Sequence, residues 1–112
     1  MKRLFFITLF FLLLASCDNK SESSIPEPSL TEQEMISILA DMQIIEADLN
    51  LRKTNQQDVS GLPQSYYSQL FEHYGITDSI FSQNMAYYTQ SPATMERLMD
   101  SVMLRLTKEQ GD

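Results

Sequence analysis

A lone thiol, a lone imidazole and a row of carboxylates are the side chains of this 112-residue chain with chemistry to offer. Cys17 is the only cysteine, so no intramolecular disulfide can form. His73 is the only histidine, which reduces Cys-His, Ser-His and multi-histidine metal arrangements to a single candidate. It falls near the C-terminal end of a predicted helix, where exposed carbonyls favour a partly cationic imidazole. Asp41, Glu46 and Asp48 share another predicted helix, and paired carboxylates can do acid–base work or hold Ca²⁺. Residues 41 and 48 lie seven apart on one face, whereas Glu46 points elsewhere and no Asp-x-Asp-x-Asp-Gly loop follows. The spacing therefore favours a solvated face or ion pairing, with Arg97 or Arg105 as cross-helix partners for Asp41. No catalytic residue, cofactor or metal site is expected, and the chain reads as a non-enzyme.

Lys2 and Arg3 precede an apolar run from Leu4 to Leu14 that only Thr8 interrupts, and Ala15-Ser16 are small enough for a peptidase pocket. This is the form of a secretory signal peptide over 1–16. A membrane span needs ~20 apolar residues, and polar Asp18-Asn19-Lys20 begins at once after Cys17. Leu14-Ala15-Ser16-Cys17 resembles the lipobox of bacterial lipoproteins. That resemblance implies cleavage before Cys17, a thioether-linked diacylglycerol on its sulfur and acylation, as with palmitate, of the new amino terminus. One myristoyl chain binds a membrane only marginally, but each buried methylene contributes ~0.8 kcal/mol, so two or three chains anchor permanently. Asp18 directly after the cysteine resembles an inner-membrane retention signal of enteric bacteria, and Lys20-Ser21-Glu22 is too weak a signal for surface export. The expected address is the cell envelope, with the lipid in the outer membrane and the domain in the periplasm.

Cleavage before Cys17 leaves 96 of the 112 residues, enough for one small domain. Removing Lys2 and Arg3 takes the net charge from −7 to −9, with all 15 acidic residues retained. Nucleic-acid binding needs clustered Lys and Arg and is excluded on this charge, as is flat adsorption on anionic lipid. Residues 17–29 read as the lipidated cysteine and a flexible tether. Asp18 to Ser24 has almost nothing to bury, and Pro26 and Pro28 disfavour helix. Twelve flexible residues have a root-mean-square span of ~20 Å.

From residue 30 to 112 the apolar residues recur at helical spacing, and an all-α bundle of about four helices is predicted. Thr31 to Glu34 has the form of a capping box, with Leu30 and Met35 as a hydrophobic staple. Met35, Ile38, Leu39, Met42, Ile45 and Leu49 then make one stripe over a helix at 32–53. A polar loop with Gly61 and Pro63 leads to a second helix at about 64–74, burying Tyr66 or Tyr67, Leu70, Phe71 and Tyr74. Gly75 occupies the position where a C-terminal cap wants positive φ. Thr77 caps a third helix, stapled by Ile76 and Phe81, with Ile80, Met85 and Tyr88 inward. Ser91-Pro92 restarts a fourth helix at 92–109, striped by Met95, Leu98, Met99, Val102 and Leu106. No alternating strand pattern and no internal repeat is present.

These residues resemble the lipoprotein family built on domain of unknown function 4296, found in Gram-negative bacteria. The likeness is densest in Phe81-x3-Met85-x-Tyr87-Tyr88-x3-Pro92-x2-Met95-x2-Leu98-Met99-Asp100-x-Val102-x3-Leu106. Leu39-Ala40-Asp41-Met42 with Glu46-Ala47 is similar to its first helix, and Tyr74-Gly75-Ile76-Thr77 to its central turn. Met99 stands where the family often has tyrosine. The resemblance implies a helical fold and an envelope location, and supplies no activity.

Six methionines in residues 30–112 suit either core filling or an adaptable client-binding groove. In Tyr66-Tyr67 and Tyr87-Tyr88, neighbouring side chains diverge by ~100°, so one of each pair reaches the rim or solvent. Tyr66, Tyr87 and Asp41 are the candidate interaction surface. The expected function is that of a non-enzymatic accessory subunit that binds an unknown envelope protein; the alternative is a chaperone-like client-binding module.

Overall fold

The computed structural model describes residues 25–111, and its regular structure is entirely α-helical: α1 (Glu32–Thr54), α2 (Leu62–His73), α3 (Asp78–Tyr88) and α4 (Pro92–Gly111). The expected signal peptide, Cys17 and most of the expected tether lie outside the described residues. The all-α reading and all four segments stand, the three with expected bounds within about two residues of them and the third behind its expected Thr77 cap.

Each boundary has a local cause. The Thr31 hydroxyl accepts from the Glu34 amide at 3.1 Å while the Glu34 carboxylate accepts from the Thr31 amide at 2.7 Å, completing the reciprocal capping box. Leu30 and Met35 are both buried across this first turn. At the end of α2, Gly75 has φ +66°; its amide donates to Glu72 O and the Ile76 amide to Phe71 O. That is the paired bonding of a Schellman cap. Thr77 follows directly and its hydroxyl accepts from the Ile80 amide at 3.2 Å, so one helix ends and the next begins within four residues. Ser91 caps α4, accepting from the Thr94 amide at 3.3 Å, with Pro92 as first helical residue. α2 starts two residues earlier than expected, because Gly61 at φ +76° turns the chain and Pro63 enters its first turn.

The four helices make three arms. Tyr66 meets Asp48 and Tyr74, the C-cap of α2, meets Asp41, so α2 runs antiparallel to α1, while Asn84 and Tyr88 tie α3 to Leu30 just ahead of α1. α4 returns parallel to α1, with Arg97 opposite Glu32 and Arg105 opposite Ser37. α1 is thus the central element, packed against α2 and α4. Met35, Ile38, Leu98 and Val102 are the largest fully buried side chains of the core.

Asn84 is the one buried polar side chain among the described residues, 2 % exposed. Its Oδ1 accepts from the Leu30 amide at 2.9 Å; its Nδ2 donates to Ile80 O at 2.8 Å and Ser29 Oγ at 3.1 Å. The Tyr88 hydroxyl donates to Leu30 O at 2.6 Å. Both backbone polar groups of Leu30 are therefore satisfied by α3, at the point where the chain enters the bundle.

Candidate functional site: an apolar groove on α2 and α3

A four-residue corner, residues 74–77, joins α2 to α3, and a groove of about 930 Å³ lies across it. Its apolar lining is Met42 from α1, Pro63, Tyr67 and Phe71 from α2, Ile76 at the corner and Phe81 from α3. The aromatic rings run across it in series: Tyr67 to Phe71 at 6.3 Å between centroids, and Phe71 to Phe81 at 5.4 Å. The polar lining includes two carboxylates, Glu72 and Asp78, and no lysine, arginine or histidine.

Beside the groove, the α1–α2 seam is a set of tyrosine–carboxylate bonds. Tyr74 donates to Asp41 and Tyr67 to Glu46; Tyr66 donates to Asp48 at 2.9 Å, and Asp48 also pairs with Arg52 at 2.8 Å. Two residues on a helix diverge by ~200°, so Glu46 and Asp48 lie on opposite flanks of α1, and Tyr66 and Tyr67 pass it on either side. Burial and then the Glu46 hydrogen bond push Tyr67 up to about 12, and burial followed by the Asp41 bond does the same for Tyr74. The Asp48 bond raises Tyr66, while the Arg52 and Tyr66 hydrogen bonds hold Asp48 below its ordinary value.

This arrangement corrects the expected pairing of Asp41. Arg97 pairs with Glu32, and Arg105 with Glu109 at 3.2 Å, while Asp41 is half-buried against Tyr74. α4 runs level with the first turns of α1, which puts its arginines beside residues 32 and 37. Tyr66 is half-buried on the seam and does not line the groove; Tyr67 does. Tyr87 is 36 % exposed, edge-on to Tyr88, and lines a smaller depression of about 260 Å³ with Glu32, Gln90, Ser91 and Thr94. The three candidate interaction residues are therefore not brought together. His73 is exposed at the last position of α2, its ring edge-on to Tyr74 at 5.0 Å.

Tyr67, Phe71 and Phe81 were visible in sequence as stripe residues, but that they line one groove shows only once α3 is placed beside α2 across the Gly75 corner. Among the described residues, no group of three or more His, Cys, Asp or Glu side chains could hold a metal ion, and no helix is long and apolar enough to cross a membrane.

Residues 26–112 match the family described as "Domain of unknown function (DUF4296)", and the chain belongs to this family. Neither the curated proteins nor the solved structures include a match to it.

Proposed function

We propose that this member of the family is a lipid-anchored lipoprotein of the bacterial cell envelope, a non-enzymatic accessory subunit that docks a protein partner through the α2–α3 groove. The observation that carries the docking role is the groove itself, a concave aromatic surface of about 930 Å³. That volume falls within the ~300 to 1,000 Å³ typical of binding clefts. The address rests on Leu14-Ala15-Ser16-Cys17 behind its apolar run; the proposed seat is the outer membrane, with the domain in the periplasm. A chaperone-like module for flexible clients is the second reading, since methionine-rich surfaces adapt to many partners. Of the six methionines in residues 30–112 only Met42 lines the groove, which supports a shaped docking site over an adaptable one.

The test combines metabolic labelling with an alkyne palmitate analogue and gentle crosslinking in cells. Wild type is expected to label, to fractionate with membranes and to recover one stoichiometric partner; Cys17→Ser should lose the label and leave the membrane or persist as precursor. Equal labelling of the variant would overturn the anchor. Recovery of many unrelated clients in place of one partner would favour the chaperone-like reading.

A further inference from the structure

The groove's charge is as distinctive as its apolar floor. Between Lys53 and Arg97 the sequence has no lysine or arginine, so α2, α3 and their corner carry no permanent cation. The arginines of the described residues are all engaged elsewhere: Arg52 with Asp48, Arg97 with Glu32 and Arg105 with Glu109. Glu72 and Asp78, the two carboxylates lining the groove, form no ion pair among the described residues. Glu46, which holds Tyr67 at the edge of the groove, adds a third negative charge nearby. A concave apolar surface with an uncompensated acidic rim selects by charge as well as by shape: an acidic partner is repelled and a basic one is drawn in.

The form of the partner follows from the backbone. An extended segment entering an apolar groove exchanges water on its N–H and C=O groups for contacts that must replace those hydrogen bonds. Strand addition supplies such bonds from a sheet edge, and the described residues contain no strand. A helix carries its backbone bonds internally and needs only side-chain pockets. Resting on the docking role above, we infer that the groove receives an amphipathic α-helix of a partner protein, apolar on one face at i, i+3, i+4 and i+7 and flanked by lysine or arginine, with Tyr67, Phe71 and Phe81 taking the apolar face and Glu72 and Asp78 the cations.

Two designed helical peptides test this against the full-length gene product purified in mild detergent: one with a leucine face and lysine flanks, the other with the same face and glutamate flanks. Binding is read by fluorescence anisotropy and located with ¹³C-methyl methionine, Met42 reporting from the groove and the 58 % exposed Met103 from α4. The lysine peptide is expected to bind about tenfold or more tightly than the glutamate peptide, to weaken with salt, and to shift the Met42 methyl while leaving Met103 in place. Glu72→Lys, at an exposed position, should cost the lysine peptide about threefold to fivefold and improve the glutamate peptide. Equal binding of the two peptides, a response at Met103 in place of Met42, or no binding by either in a folded protein overturns the inference. Failure here with lipidation and a single crosslinked partner intact would reject the partner's chemistry and spare the docking role. Loss of label and partner with peptide selectivity intact would reject the cellular role and spare the groove.

Discussion

Replacing Asn84 with alanine should loosen the base of the bundle more than any change at a neighbouring surface position. The side chain is 2 % exposed and makes three hydrogen bonds, of which the one from the Leu30 amide at 2.9 Å has no ready substitute, because Leu30 is itself 8 % exposed. Ile80 O keeps its place within α3 and Ser29 is exposed to water, so the unmatched group after mutation is the Leu30 N–H. An orphaned buried donor costs about 1 to 3 kcal/mol, and the void left by the shorter side chain brings the total to about 2 to 4 kcal/mol. For a domain of this size each kcal/mol lowers the melting temperature by about 4 to 8 °C. Thermal denaturation followed by circular dichroism at 222 nm should show the drop, and the Leu30 amide should lose hydrogen-exchange protection. Tyr88→Phe removes the 2.6 Å bond to Leu30 O and should cost about 1 to 2 kcal/mol. The double variant should cost less than the sum, since each side chain holds one polar group of the same residue. Exposed Gln83→Ala is the control. A melting curve for Asn84→Ala within about 0.5 kcal/mol of wild type, the range of ordinary surface changes, would show that Leu30 does not depend on α3.

Alkaline pH should erode stability in a defined window. Tyr67 and Tyr74 are pushed up to about 12, whereas unfolded tyrosines release their protons near about 10. The unfolded chain therefore binds fewer protons than the folded one between these values. The stabilisation is complete below about pH 10 and is lost as the pH rises toward about 12; Tyr74→Phe should flatten part of this slope, and an unchanged slope would refute the assignment. Gln56, at φ +58° just beyond the C-terminal cap of α1, sits where an L side chain costs about 1 to 2 kcal/mol. Gln56→Gly should raise stability by about 0.5 to 1 kcal/mol after the added chain entropy, read as a higher denaturant midpoint at constant slope. Leu98→Asp, at 1 % exposure in the α1–α4 interface, should unfold the domain, because an unpaired buried carboxylate costs several kcal/mol of a typical ~5 to 15 kcal/mol. Replacing Glu109, exposed in a surface pair with Arg105, should change the melt little.

The helices and their caps were legible because their signals are local. Thr31 with Glu34, Gly75 and Ser91-Pro92 each act within one turn, so no knowledge of the fold is needed to read them. Where two arms meet, local reading falls short. Ile36 and Ala40 lie off the stripe read from α1 yet are 7 % and 0 % exposed, because α1 is covered by α4 as well as by α2 and so buries a wider face than one seam requires. Asn84 carried a readable signal, since it falls on the same helical face as Ile80, Phe81, Met85 and Tyr88. A polar residue on such a face announces a buried hydrogen-bond network without naming its partner, 54 residues away. The tyrosine–carboxylate seam was legible only in its parts. Three tyrosines, two of them neighbours, and three carboxylates, of which only Asp41 and Asp48 share a face, form a pattern only once α2 is laid across α1. Gln56 gave no signal at all, because the left-handed position that usually calls for glycine or asparagine is held here by a residue with no preference for it.

On the proposed anchor, the parts make mechanical sense together. The chain passes from Cys17 to Ser29 and is gripped at Leu30 by Asn84 and Tyr88 of α3, the helix that also supplies Phe81 and Asp78 to the groove. With a lipid on Cys17, a link of this length behaving as a flexible coil would span ~20 Å and keep the domain near the bilayer. Removal of residues 1–16 would leave a charge of −9, whose repulsion from anionic lipid would be screened beyond ~8 Å at physiological salt. Confinement that gave an effective concentration in the millimolar range would leave a groove with a dissociation constant of about 1 mM, equivalent to about 4 kcal/mol, about half occupied. On this proposal grip, tether and groove have separate roles: the lipid would supply proximity, Asn84 and Tyr88 of α3 fix where the chain enters the bundle, and the acidic rim would have only to choose among the helices that proximity brings within reach.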